Sequence, residues 1–314
     1  VDALSPKIRI YKTYDAYPPE IPEPVRYLVV RDSLNITFYM QRPHAEVRHG
    51  IAHALDVYLS AVGSRKLSQY VTRSGQWSDL DDEGWAAVRK DLLDPEGGGR
   101  IVLREWPTVV PGHEFTYFGR LYDFPGYMTF PNETSTVSFW LPTEYLEERG
   151  AGWVRELALE LGARLPFNSG HAGLFMQSLF DSRTYAAEVR EACFTYPGMD
   201  IAIADHLANH IGARVKGAHW LTFLGQPVLG ELGGAEGLRS RLHSPDTTVQ
   251  DMGGDRVVVT LGKQPEAGDR EPERTLASYR ELALVLEPWL YRERSPWPGF
   301  TEDDMRRWER RLLD

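Results

Sequence analysis

His206 and His210 stand four residues apart on a predicted helix, preceded by Asp200 and Asp205, and this is the sharpest enzyme-like spacing in the chain. Two imidazoles at i and i+4 share one helix face, as a zinc site needs. The chemistry would be metal-dependent hydrolysis. Leu207, however, follows His206 where a His-Glu-x-x-His motif carries its general base. A third ligand would have to come from elsewhere, from His219 or His171. His49 and His53 repeat the spacing, so histidines on ordinary amphipathic helices remain the competing reading. Ser169, in Asn168-Ser169-Gly170-His171, lacks the Gly-x-Ser-x-Gly elbow of a hydrolase and reads as a glycine-flanked turn. Gly230-Glu231-Leu232-Gly233-Gly234 lacks the Gly-Lys-Ser/Thr ending of a phosphate loop. Cys193 is the only cysteine, so it forms no intramolecular disulfide and reads as a small core residue. No stretch brings a nucleophile, a base and an orienting group together. No catalytic residue, metal or cofactor is expected.

An acidic run offers a different chemistry. From Asp79 to Glu96 seven acids face only two bases, with Trp77 and Trp85 interleaved. Exposed aromatics beside carboxylates form the kind of hot spot that receives a basic protein partner. Trp77, Asp79, Asp81, Asp82, Glu83 and Trp85 are therefore the candidate binding residues. The competing reading is a solvated helix face whose tryptophans belong to the core. The net charge of -10 argues against nucleic acid as the direct partner, since phosphate binding wants a basic face. The N-terminus has no basic segment followed by an apolar run, and no stretch approaches the roughly 18 apolar residues that span a bilayer. A soluble, cytoplasmic protein is expected, with no membrane partner.

The elements that must position these residues are mixed. Residues 1–25 read as an extended Pro-rich arm that avoids helix and sheet pairing. Tyr27–Val30 and Ile36–Met40 read as strands around a turn at Asp32-Ser33. A helix is predicted from His44 to Val62, ended by Gly63-Ser64. A second begins in the acidic run, capped by Ser78 or Asp79, and runs to about Leu93. Strands are predicted at 101–106, 115–122 and 135–141, followed by a helix from Tyr145 to Leu165 that breaks near Gly150. Helices are expected at 170–180, 182–191 and 200–211, a strand at 215–224, and a glycine-interrupted helix at 227–241. Thr247–Met252 and Asp255–Leu261 form a hairpin through Gly253-Gly254. Residues 264–273 read as a mobile loop. A helix follows at 276–291, and a short one is capped by Thr301.

This pattern predicts an α+β fold with a mixed, largely antiparallel sheet and packed helices. Residues 26–314 are expected to form one compact domain. The strand–proline–helix order recurs around Pro43 and Pro142, so two related lobes, 26–125 and 126–314, are also considered.

Four blocks are the best-marked part of the chain: Pro166 to Leu174, Tyr196-Pro197-Gly198-Met199-Asp200, Gly217 to Gly225, and Leu232-Gly233-Gly234. Each sets a small residue beside a bulky apolar one, as architecture does. Their order and spacing resemble a bacterial family, formerly of unknown function, described as type VI secretion immunity proteins. The resemblance covers roughly Arg26 to Tyr291 and is densest from Gly162 to Leu238. It implies a protein that binds and blocks a cognate toxin, and it brings no catalytic residues. The expected partner is a basic effector toxin acting in the cytoplasm, a nuclease, whose active site is occluded. A metal-dependent hydrolase using His206 and His210 is the alternative, and a structural assembly component is a third reading.

Overall fold

The computed structural model describes residues 6–14, 25–97, 99–106, 108, 110–122, 130–178, 185–268 and 276–314. Among the described residues eleven strands form one antiparallel sheet. They are β1 (Arg9–Tyr14), β2 (Val25–Met40), β3 (Gln69–Val71), β4 (Trp77–Asp79), β5 (Gly99–Arg104), β6 (Glu114–Gly119), β7 (Ser135–Pro142), β8 (Ser169–Ser178), β9 (Leu221–Leu224), β10 (Thr247–Asp251) and β11 (Val257–Leu261). Their order is β10-β11-β9-β8-β2-β7-β6-β5-β3-β4, with β1 pairing beside β2. The fold is α+β, as expected. Strands from before and after residue 125 interleave, because β2 lies between β8 and β7, and β7 between β2 and β6.

The two faces differ in chemistry. Residues i and i+2 of a strand share a face, and directly paired residues of neighbouring strands do too. One face carries Leu34, Ile36 and Phe38 of β2 with Val137, Phe139 and Leu141 of β7, all buried. Helices α1 (His44–Val62) and α4 (Ala151–Gly162) cover it; Tyr58 packs on Phe139. Gly162 lets α4 approach, because a Cβ there would lie 2.8 Å from the Phe38 ring. The opposite face is polar. Thr116, Ser138, Thr37, His171 and Thr222 pair in succession across five strands. Asn35 Nδ2 donates to Ser138 Oγ at 2.9 Å, and Thr37 Oγ1 donates to Asn35 Oδ1 at 2.8 Å. Helix α6 (Ala204–His210) covers part of this face, with Leu207 and Ile211 packing on Tyr39.

Several expectations hold. Helix α1 spans the predicted residues and ends at Gly63 with φ 89°. The break at Gly150 separates α3 (Glu144–Arg149) from α4. The hairpin β10–β11 forms as expected. The last helix, α10 (Glu302–Glu309), has a full capping box between Thr301 and Asp304.

Others are corrected. There is no turn at Asp32-Ser33, and β2 runs unbroken through both. Asp32 is fully buried, pairs with Arg9, and accepts from Thr143 Oγ1 at 2.5 Å, so its charge is satisfied within the strand. Part of the expected arm does pair, since Arg9–Tyr14 contains no proline. The arm at 15–24 and the loop at 269–273 lie outside the described residues. The largest correction concerns 170–180, read as a helix and observed as β8. This strand is buried on both faces, so no alternation marked it. The helix expected at 200–211 starts only at Ala204, because Asp200 holds β8 by its backbone: its N–H donates to Leu174 O and its carbonyl accepts from Met176 N. Strand β9 is shorter than predicted.

A contrast between two glycines tests this packing. A Cβ at Gly225 would sit 2.2 Å from Phe167 O, whereas at Gly173 the nearest atom is 3.7 Å away. Gly225→Ala is expected to lose about 1–3 kcal/mol of unfolding free energy. Gly173→Ala should change it by less than about 1 kcal/mol. Urea unfolding of both variants checks the difference.

Candidate functional site

The acidic run folds around the free end of the sheet. β4 is the terminal strand and carries Trp77 and Asp79. The chain then turns into helix α2 (Asp82–Leu93). The predicted caps are corrected here: Ser78 and Asp79 lie in β4, and Asp81 caps α2 by accepting from Gly84 N at 2.9 Å. Asp82 and Glu83 fill the first turn, where carboxylates favour the positive helix end.

Asp79, Asp81, Asp82 and Trp85 line one open groove of about 730 Å³, together with Leu59 and Arg65. Glu83 is exposed on the same first turn. Asp91, further along α2, is paired with Arg73 at 2.6 Å. Asp79, Asp82 and Glu83 make no ion pair among the described residues. The two tryptophans differ. Trp77 is 41% exposed, while Trp85 is half-buried and packs against the core. Trp77 turns away from the groove toward the polar face of the sheet, its ring centroid 3.5 Å from the Arg104 guanidinium carbon. Arg104, Arg100 and Trp106 were not singled out in the sequence. The only signal there was Arg104-Glu105-Trp106 at the end of β5, and Arg100 had none.

The enzyme-like residues go elsewhere. His206 Nε2 lies 2.7 Å from Glu293 Oε2, and His210 Nδ1 donates to the His206 carbonyl at 2.8 Å. Among the described residues no three His, Cys, Asp or Glu side chains converge as a metal ion needs. The Glu293 carboxylate raises the His206 imidazole above its ordinary 6.5. Burial would raise Glu293, but His206, Lys216 and the Tyr291 hydroxyl together outweigh it and lower the carboxyl below 4.5. The His206 contribution is complete below pH 6.5 and fades as pH rises through the raised value. The Glu293 contribution is complete above pH 4.5 and fades as pH falls through the lowered one. The melting-temperature loss in His206→Gln should therefore be larger at about pH 5.5 than at about pH 9. An equal loss at both would refute the pairing.

Three of the four marked blocks meet in a buried knot, through His171, Asp200 and His219. His171 of β8 stacks on Phe175, which stacks on His219. His219 Nε2 donates to Asp200 Oδ2 at 3.0 Å. Lys216 and Arg311 reach the same carboxylate at 3.4 and 3.3 Å. Burial would raise the Asp200 carboxyl, yet Lys216, Arg311 and His219 hold it well below the ordinary carboxylate range. Burial drives His171 well below the usual imidazole value and lowers His219 as well. Cys193 is buried, and burial pushes its thiol well up. A thiol so placed is inert. The knot joins elements and exposes no reactive group.

Among the described residues, no helix is long and apolar enough to cross a membrane. No curated protein matches the chain. A solved structure, the Pseudomonas aeruginosa T6SS protein PA0821, is similar with a TM-score of 0.77 at 20% identity, covering 93% of this chain and 84% of that one. At that identity the likeness shows the fold alone. The sequence pattern of TsiV, described as type VI immunity for VRR-NUC, matches residues 50–312. The expected resemblance holds, and this chain belongs to that type VI immunity family.

Proposed function

We propose that this protein captures a cognate VRR-NUC toxin in the cytoplasm and blocks it by occupying its active-site face. The toxin is read as a nuclease with a basic working face. The observation that carries this reading is the groove at the free end of the sheet, which Asp79 and Asp82 line and beside which Glu83 is exposed, all three without an ion pair among the described residues. Unpaired carboxylates at a rim steer a basic partner and speed its encounter. Trp77 offers an exposed aromatic anchor, the residue type that dominates binding energy at interfaces. Trp85 supports the groove wall from within. Neutralisation is stoichiometric and needs no cofactor or turnover. The interleaving of β2 and β7 supports reading residues 26–314 as one domain that presents this surface as a unit.

The test is expression of the toxin encoded beside this gene, with and without this chain, followed by purification. Growth should recover only with the chain present, and the two proteins should elute as a complex. Growth arrest despite co-expression, or elution of separate proteins, would overturn the reading.

A further inference from the structure

On the other side of Trp77 lies a second concavity. It measures about 290 Å³ and opens on the polar face of the sheet, between β5–β6 and the segment leading into α6. Its floor is apolar, with Val102, Phe118 and Trp140. One wall is cationic. Arg104 stands opposite Glu114 in the strand register, yet its guanidinium turns to lie over Trp77, with Trp106 at 5.2 Å. Its polar contact is a long one, to Gln69 at 3.4 Å, and its buried Nε has no hydrogen-bond partner. Arg100 is exposed at the rim, near the Phe118 ring. Neither arginine forms an ion pair among the described residues. The acids facing them are two. Glu114 takes a hydrogen bond from Thr116 Oγ1, and burial pushes its carboxyl upward. Asp205 is exposed at the far rim.

A planar guanidinium that lies over Trp77, holds only a long hydrogen bond to Gln69 and has no carboxylate partner among the described residues is prepared for one. The apolar floor beneath it suits an aliphatic or aromatic side chain. We propose that this cleft receives an acidic, apolar-flanked segment of the toxin, with Arg100 and Arg104 clamping its carboxylate. The inference rests on the immunity reading and extends it. The interface becomes two-signed, with an acidic groove and a basic cleft on either side of Trp77. Such an arrangement fixes the orientation of a partner, because a rotated complex would set like charges together.

The experiment measures binding of the purified toxin to three variants, Arg100→Glu, Arg104→Gln and the two combined. Arg100 is exposed, so its replacement leaves the fold intact, and a thermal melt checks Arg104→Gln. Dissociation constants are expected to rise about tenfold or more for the double variant, mostly through the off-rate for Arg104→Gln. Arg104→Lys keeps the charge without the fork and should fall between. Wild-type binding with all variants within about twofold of it would overturn the cleft while leaving the immunity reading in place. A wild-type protein that does not bind the toxin removes both. Inorganic phosphate is the control probe. If millimolar phosphate displaces the toxin from wild type and from the double variant equally, the arginines are not the anion site and the proposal fails.

Discussion

Asp200→Ala is expected to lose about 3–5 kcal/mol of unfolding free energy, the usual cost of removing one partner from a buried charge pair. Domains of this kind are stable by only about 5–15 kcal/mol, so the variant should be close to unfolding at growth temperature. The reason is local. Lys216 and Arg311 are largely buried against the Asp200 carboxylate, and its loss leaves both cations facing each other. Asp200→Asn keeps the backbone contacts and the shape but not the charge, and should fall between. Replacing Asp200, Lys216 and Arg311 together by apolar residues should recover much of the loss, because it removes the cations with the anion. Urea midpoints of the four proteins decide the matter. If the triple variant is no more stable than Asp200→Ala, charge balance is not what holds the knot.

Reversing Asp79, Asp82 and Glu83 to Lys is expected to slow toxin association about tenfold at low ionic strength and to flatten its salt dependence. Asp81 is spared in this variant, because it caps α2 and its loss would cost about 1 kcal/mol of stability in its own right. Trp77→Ala should act differently, through faster dissociation, since exposed aromatic anchors mainly set the off-rate. Trp85→Ala is unsuitable as an interface probe, because Trp85 packs against the core. Stopped-flow rates at two salt concentrations separate these effects. Unchanged association of the triple reversal at low salt would place the interface elsewhere.

What could be read from the residues was whatever local rules decide. Helix α1 shows an apolar stripe at helical spacing and stops at a glycine, and α10 shows a complete capping box. The β10–β11 hairpin has its two glycines at the turn. Tertiary contacts hid the rest. The ten residues of β8 are covered on both faces, so their glycines and apolar residues carry no period of two. Asp32-Ser33 looks like a turn until Arg9, twenty-three positions away, supplies the counter-charge. The candidate site was half legible. The acids of the groove are contiguous in sequence, whereas the cleft arginines on β5 meet Trp77 only through the pairing of β3 with both β4 and β5.

The place of β2 in the sheet has a consequence in time. Its neighbours β7 and β8 begin at Ser135 and Ser169, far downstream of its last residue, Met40. At ribosomal speeds of about 5–20 residues per second, those strands emerge roughly 5–25 s after β2 does. Through that interval β1 can pair only with the first part of β2, and the part that carries Leu34, Ile36 and Phe38 has neither of its neighbours. A nascent chain in this condition is prone to pair with others of its kind. The yield of folded chain should thus fall where translation slows or chaperone cover is thin.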